Sequence, residues 1–91
     1  MQFGIFTIGD VTTDPTTGTT PTEGERIHAM TQMALKAEEV GLDVFATGEH
    51  HNPPFVPSSP TTTLGYIAGQ TSDIILSTAT TLITTNDPVK I

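Results

Sequence analysis

The strongest constraint in this sequence is the alternation of short apolar runs with segments of helical periodicity. Three runs rich in β-branched and aromatic residues, at 3–9, 43–47 and 73–79, have the length and composition of buried strands. Two helical segments lie between them, and Asn86-Asp87-Pro88 has the cap and first-turn proline of a third helix start. Strands that alternate with helices form βαβ units, so the sequence predicts an α/β fold with a parallel sheet.

The first helix is predicted to begin after Thr22 and to run to about Val40. Thr22 and Glu25 have capping-box spacing, in which each side chain accepts a hydrogen bond from the other residue's backbone N–H. An apolar stripe recurs at three- and four-residue steps, and Gly41 supplies a left-handed stop. The stripe comprises Ile27, Met30, Ala34 and Ala37, widened by Met33 and Val40.

The second helix is predicted to begin at Ser59-Pro60, an N-cap followed by a first-turn proline, and to fray near Gln70. Its apolar positions are Leu64, Ile67 and Ala68. Gly65 and Gly69 lie four residues apart, and each weakens a helix by ~1 kcal/mol relative to alanine. We expect the close approach of the sheet or of another helix to compensate.

The strand-to-helix loops are predicted to converge on one edge of the sheet. Because parallel crossovers are right-handed, all of these loops emerge where the strands end, and the sites of such folds lie there. Asp10, Glu49, His50 and the segment after Ala79 fall at this edge. The loop at 12–21 exceeds the usual ~2–6 residues, and it fits either a cover over a site or a solvated excursion.

Composition excludes several function classes. The net charge is −7, with Arg26, Lys36 and Lys90 the only cations, which argues against binding to nucleic acid or to an anionic membrane. The phosphate of a cofactor would have to be held by backbone N–H groups or by residues outside this sequence. No apolar run approaches the ~20 residues of a membrane span. The lack of cysteine fits a reducing compartment, so we expect a cytoplasmic protein.

Glu49-His50-His51 is the main candidate for chemistry. The group lacks the i, i+4 spacing of a helical zinc site, and no metal is expected. No Gly-x-Ser-x-Gly, cysteine or Gly-x-Gly-x-x-Gly supports acyl transfer or a Rossmann site. Neighbours in extended backbone face opposite ways, so one histidine would reach the site and the other support it. An acid or base role for one imidazole stays open beside a structural Glu49–His50 hydrogen bond.

A set of motifs across the whole sequence resembles the N-terminal part of the bacterial luciferase-like monooxygenases. The set keeps the order and spacing of that family and is specific as a set, although each motif alone is weak. It consists of residues 1–6, 37–43, 48–51, 77–80 and 87–89. Two departures are the Ala-Thr pair at 79–80, where small residues are usual, and the lack of a basic residue at 69–73.

The resemblance implies a (β/α)8 barrel that uses reduced FMN, or deazaflavin F420 in some branches. FMN-dependent members activate O2 and oxygenate a small organic substrate; a flavin reductase would supply the reduced flavin, and the intact protein would be a homodimer. By this pattern His50 is the catalytic histidine and Glu49 lies at the flavin pocket. The family's non-prolyl cis peptide, which packs against the flavin, corresponds to Ala79–Thr80.

We therefore expect residues 1–91 to form the first three β/α units of one TIM-barrel domain. Such a barrel needs eight strands and ~250 residues, so the sequence is expected to be a fragment of a larger α/β protein. The leading function is an FMN-dependent monooxygenase, with this chain alone inactive. The alternatives are an F420-dependent oxidoreductase that transfers hydride on the same barrel, or a non-catalytic fragment or subunit that stabilises a partner.

Overall fold

The computed structural model describes residues 1–90, in which three parallel strands form one sheet and two helices cover it. The elements are β1 (Gly4–Thr7), α1 (Glu23–Glu39), β2 (Val44–Thr47), α2 (Pro60–Ala68) and β3 (Ile75–Thr78). The strands pair in chain order, which confirms the predicted α/β class and parallel sheet. Each strand is shorter than its apolar run. In β1 the ladder ends early because Gly9 turns the chain at a φ of 70°.

Both ends of α1 form as predicted. The Thr22 hydroxyl accepts from the Glu25 N–H at 3.1 Å, and the Glu25 carboxylate accepts from the Thr22 N–H at 3.1 Å. At the other end Gly41 has a φ of 87°, and the Leu42 N–H reaches the Ala37 carbonyl at 2.9 Å. This is the hydrogen-bond pattern of a Schellman stop, which satisfies carbonyls that the helix leaves free.

The core lies between the helices and one face of the sheet. Pairing aligns Ile5, Phe45 and Leu76 in one row, and Phe45 is fully buried at its centre. The other core side chains are Met30, Ala34, Ala37, Val56, Leu64, Ile67 and Ile74. The prediction is wrong for Met33 and Val40, which are 36% and 61% exposed, because the helix turns them away from the sheet.

The second face of the sheet is uncovered by residues 1–90. Phe6 and Ile75 point to that face and are 53% and 48% exposed. Their apolar character predicts burial on both faces, as is usual for parallel strands. Within the described chain, burial is limited to the face that α1 and α2 cover.

The start of α2 differs from the prediction in its cap. Ser59 occupies the N-cap position and Pro60 follows it, but the Ser59 hydroxyl pairs with the Thr62 hydroxyl at 2.8 Å instead of with a backbone N–H. Gly65 has no atom beyond its own stretch of helix within 4 Å of where a Cβ would lie, so within residues 1–90 neither the sheet nor another helix makes the expected close approach there. The helix ends at Ala68, which is exposed.

The predicted helix start after β3 is seen as a single turn. The Asp87 carboxylate accepts from the Val89 N–H at 2.9 Å, and the Lys90 N–H donates to the Asp87 carbonyl at 2.9 Å. Ile91 lies outside the described residues. No helix in residues 1–90 has both the length and the apolar character needed to cross a membrane.

Candidate functional site at the carboxyl edge of the sheet

Three loops meet at the edge where the strands end, here called the carboxyl edge. The first loop (residues 8–22) and the second loop (48–59) are joined through their backbones. The Val56 N–H donates to the Gly9 carbonyl at 2.8 Å, and the Val11 N–H donates to the Pro54 carbonyl at 2.6 Å. Only the start of the first loop covers the second, since residues 12–20 are exposed to solvent. Residues 12–20 therefore match the solvated excursion, and the contacts with the second loop come from Gly9 and Val11, which precede that segment.

Arg26 is the cation at this edge, and its side chain donates hydrogen bonds to neighbouring groups of the same chain. Its Nε donates to the Asp10 carbonyl at 2.7 Å, and one Nη donates to the Thr7 hydroxyl at 3.2 Å. The Thr12 hydroxyl, with a contribution from Arg26, lowers the pKa of the Asp10 carboxyl. Sequence reasoning missed this contact. The signal was an arginine in the first turn of a helix, where the helix dipole disfavours positive charge.

Glu49 is buried directly after β2, and both of its oxygens are occupied. Oε1 accepts from the Leu82 N–H at 3.1 Å and from the Asn86 amide at 3.3 Å. Oε2 pairs with His51 Nε2 at 2.5 Å and accepts from the Thr85 hydroxyl at 2.7 Å. These donors, His51 first and Thr85 next, lower the pKa of Glu49 to about 2. The carboxylate is therefore ionised, and no oxygen is left for a ligand in this arrangement.

The structural pair considered from sequence, Glu49 with His50, is wrong. The partner is His51, because the buried Glu49 side chain turns toward the third loop (residues 79–90) while His50 turns toward Gly48. The imidazole of His50 stacks on Phe55, with ring centroids 4.7 Å apart. Its backbone N–H is held by the Pro57 carbonyl at 3.1 Å. No buried side-chain nitrogen in residues 1–90 lacks a partner, so the unpaired ring nitrogens of His50 are accessible.

His50 and His51 line the same cleft, which has a volume of about 190 Å³. The expectation that only one would reach it assumed extended backbone, whereas the chain here is an irregular loop with a turn at Pro53. The cleft also contacts Glu23, Asn52, Phe55 and Val56. No three His, Cys, Asp or Glu side chains in residues 1–90 are grouped to hold a metal ion. The imidazoles are the groups at this cleft whose chemistry suits proton exchange near neutral pH.

The peptide bond between Ala79 and Thr80 is cis, as the resemblance implies. The Ala79 N–H donates to the Thr47 carbonyl at 2.8 Å, which continues the pairing of β3 with β2. A Cβ added to Gly48 would lie 3.4 Å from the Ala79 carbonyl oxygen and 3.4 Å from His50 Nε2. Gly48 thus leaves open a space that both the cis peptide and the imidazole border.

The fold and the site define an α/β protein in which an accessible imidazole and an exposed cis peptide lie at the carboxyl edge of a parallel sheet. The sequence model of the luciferase-like monooxygenases matches residues 1–91, so the chain belongs to that family. No curated protein sequence gives a significant match. Membership places the protein among monooxygenase-type oxidoreductases, a family that generally uses flavin or F420.

Proposed function

We propose that the protein acts as a flavin-dependent monooxygenase that uses reduced FMN and O2 to oxygenate an organic substrate. The observation that supports this most directly is the meeting of His50, Gly48 and the Ala79–Thr80 peptide at the carboxyl edge. A flavin reductase as the source of reduced FMN, and a homodimer of the intact protein, are parts of the same proposal.

The residues present fit the ring of a flavin. Gly48 lacks the Cβ that would fill the space between His50 and the Ala79 carbonyl, and Ala79 and Thr80 are exposed at the rim. Ala79 and Thr80 would border one side of a bound ring, with backbone groups facing it. Reduced flavin, when bound, supplies the electrons that activate O2. Arg26 is engaged by Asp10 and Thr7, so it is not offered to the phosphate.

His50 would exchange protons with the bound reactants. Phe55 stacks on its ring and Pro57 holds its backbone, so the imidazole is oriented while its nitrogens stay accessible. Positioned imidazoles contribute roughly 10²–10⁴-fold to rate as general acids or bases. Phe55 and Val56 also place apolar surface beside the ring.

The test is reconstitution of the intact protein with each reduced cofactor in turn. Saturable FMN binding together with O2-dependent turnover of an organic substrate is the expected result. Turnover with F420 alone would replace the proposal with hydride transfer on the same fold. Neither binding nor turnover with either cofactor would favour the non-catalytic role.

A further inference from the structure

Glu49 is the anchor of the third loop. Every hydrogen bond that ties residues 80–90 to the rest of the described chain ends on its carboxylate. The loop's remaining bonds are internal, such as the Thr85 N–H to the Leu82 carbonyl at 3.2 Å. One buried side chain therefore fixes a segment whose residues are largely exposed.

The first and second loops are held in a different way. They share backbone hydrogen bonds between Gly9 and Val56 and between Val11 and Pro54, which side-chain substitution does not remove. The third loop has no such backbone pairing to the second loop within residues 1–90. Its position relative to His50 depends on Glu49.

The cis peptide lies between two fixed points. On one side the Ala79 N–H is held by the Thr47 carbonyl at 2.8 Å, and on the other the Leu82 N–H is held by Glu49 at 3.1 Å. Loss of the second point would free residues 80–82 and the exposed face of the peptide. Because the carboxylate's own oxygens are occupied, its effect on a ligand has to pass through the groups that it holds, and the third loop is one of them.

The Glu49 carboxylate also determines which ring nitrogen of His51 carries the proton. An ionised carboxylate only accepts hydrogen bonds, so the bond to His51 requires a proton on Nε2. In the neutral ring this leaves Nδ1 as the acceptor, and the half-exposed imidazole lines the cleft beside His50. A hydrogen-bond partner of this kind commonly sets the tautomer of a histidine.

We propose that Glu49 is a positioning residue, which sets the place of the Ala79–Thr80 peptide through the third loop and the Nε2–H tautomer of His51. This inference rests on the proposed function for its effect on turnover, but its structural readouts do not need turnover. It differs from a role in which the Glu49 carboxylate itself contacts the cofactor.

Two variants separate the effect of Glu49 on the third loop from its effect on the tautomer of His51. Glu49→Ala removes all four bonds. Glu49→Gln keeps an oxygen for the Leu82 N–H, but it presents an NH2 group where His51 now donates. Glu38→Gln is the matched control, because the Glu38 carboxylate also accepts backbone N–H groups but lies where the strands begin.

The first readout is hydrogen exchange at the Leu82 amide in the intact protein. Glu49→Ala should accelerate it by at least about tenfold, the effect of losing a hydrogen bond to a charged group. Glu49→Gln and Glu38→Gln should leave it near wild type. The amides of α1 report folding. If Glu49→Ala does not fold, Thr85→Val with Asn86→Ala removes the loop's two side-chain bonds to Glu49 and should also accelerate Leu82 exchange, whereas an unchanged rate would count against the anchor.

The second readout is the ¹⁵N spectrum of the His51 ring, recorded across a pH series so that the neutral form is observed directly. Wild type should carry its proton on Nε2, and Glu49→Gln should move it to Nδ1. With FMN and O2, Glu49→Ala should lower kcat/KM by about 100-fold, as small misplacements of reacting groups do, and Glu38→Gln should not. Unchanged Leu82 exchange and an unchanged His51 tautomer would overturn the inference. Failure of wild type to bind FMN would overturn the proposed function alone.

Discussion

The two edges of the sheet use the same kind of group for different purposes. At the edge where the strands begin, here called the amino edge, one oxygen of Glu38 accepts three consecutive backbone N–H groups. They belong to Ser72, Asp73 and Ile74, at 2.8, 2.7 and 3.0 Å. At the carboxyl edge, Glu49 gathers one backbone N–H and three side chains. Within residues 1–90 the Glu38 carboxylate therefore holds only backbone N–H groups, whereas the Glu49 carboxylate holds side chains as well as backbone.

Cavity size alone would select the amino edge. The amino edge has a cleft of about 400 Å³ that contacts Glu38, Asp43 and Asp73, whereas the cleft at His50 is about 190 Å³. The Asp43 carboxylate accepts the Phe3 N–H at 2.8 Å, and the Glu38 carboxylate is engaged by the turn before β3. Two of the three carboxylates at the larger cleft, those of Glu38 and Asp43, thus already accept backbone N–H groups. The smaller one has accessible imidazole nitrogens.

The largest expected effect comes from His50. His50→Ala should reduce monooxygenase activity of the intact protein by roughly 10²–10⁴-fold, because it removes the accessible proton-transfer group. His28→Ala, at an exposed position on α1, should leave activity unchanged. Steady-state turnover with FMN and O2 measures both. Equal activity of His50→Ala and wild type would remove the functional distinction between the edges.

The next effect concerns the backbone junction between the first and second loops. A Cβ on Gly9 would lie 1.4 Å from the Val56 carbonyl oxygen, and Gly9 has a φ of 70°. Gly9→Ala should therefore destabilise the protein by about 3 kcal/mol. Gly18 has a φ of 72° but open space around it, so Gly18→Ala should lose only about 1 kcal/mol. Urea denaturation compares the two, and equal losses would show that the junction contributes nothing.

Acidification tests whether Glu38 and Glu49 stabilise the fold as ionised carboxylates and not as neutral hydrogen-bonding groups. Hydrogen bonds, mainly from the Asp73, Ile74 and Ser72 N–H groups for Glu38 and from His51 and Thr85 for Glu49, lower the pKa of each carboxyl below its ordinary 4.5. The stabilisation is present above pH 4.5 and is lost as pH falls through the folded-state pKa, which is about 2 for Glu49.

Glu38→Gln and Glu49→Gln should therefore lower Tm near neutral pH, and the difference from wild type should shrink on acidification. For Glu49 the loss should extend from about pH 4.5 to about pH 2. Thermal melts across this range provide the measurement. A deficit of Glu49→Gln that stays constant down to pH 2 would contradict the assigned ionisation.

The smallest expected effect is the loss of stability when the N-cap hydroxyl of either helix is removed. Thr22→Ala should destabilise α1 by about 1 kcal/mol, because it removes the side-chain half of the capping box. Ser59→Ala should change stability by only a few tenths of a kcal/mol, since the Ser59 hydroxyl makes no cap bond to backbone. Chemical denaturation resolves the difference, and a larger loss for Ser59→Ala would be the contrary result.

The features that depend on neighbouring residues alone could be predicted correctly from the sequence. The capping box at Thr22, the left-handed stop at Gly41 and the α/β class follow from short-range patterns. The same reasoning placed Met33 and Val40 in the core, because a stripe in sequence is wider than the face that the sheet covers.

The partners within the site needed the structure. Glu49 is separated from Leu82 by 33 residues and from Asn86 by 37, and no local pattern pairs them. The exchange of His50 for His51 as the carboxylate's partner follows from how the second loop turns, which neighbouring residue types do not specify. The position of the cis peptide came from family resemblance and not from the chemistry of Ala79 and Thr80.

The most direct test of the central claim, that the functional site is at the carboxyl edge, is an NMR titration of the intact protein with FMN. The amide resonances of Gly48, His50, Ala79 and Thr80 should shift saturably, while those of Glu38, Asp43 and Asp73 stay in place. Shifts concentrated at Glu38, Asp43 and Asp73, around the larger cleft at the amino edge, would contradict the claim.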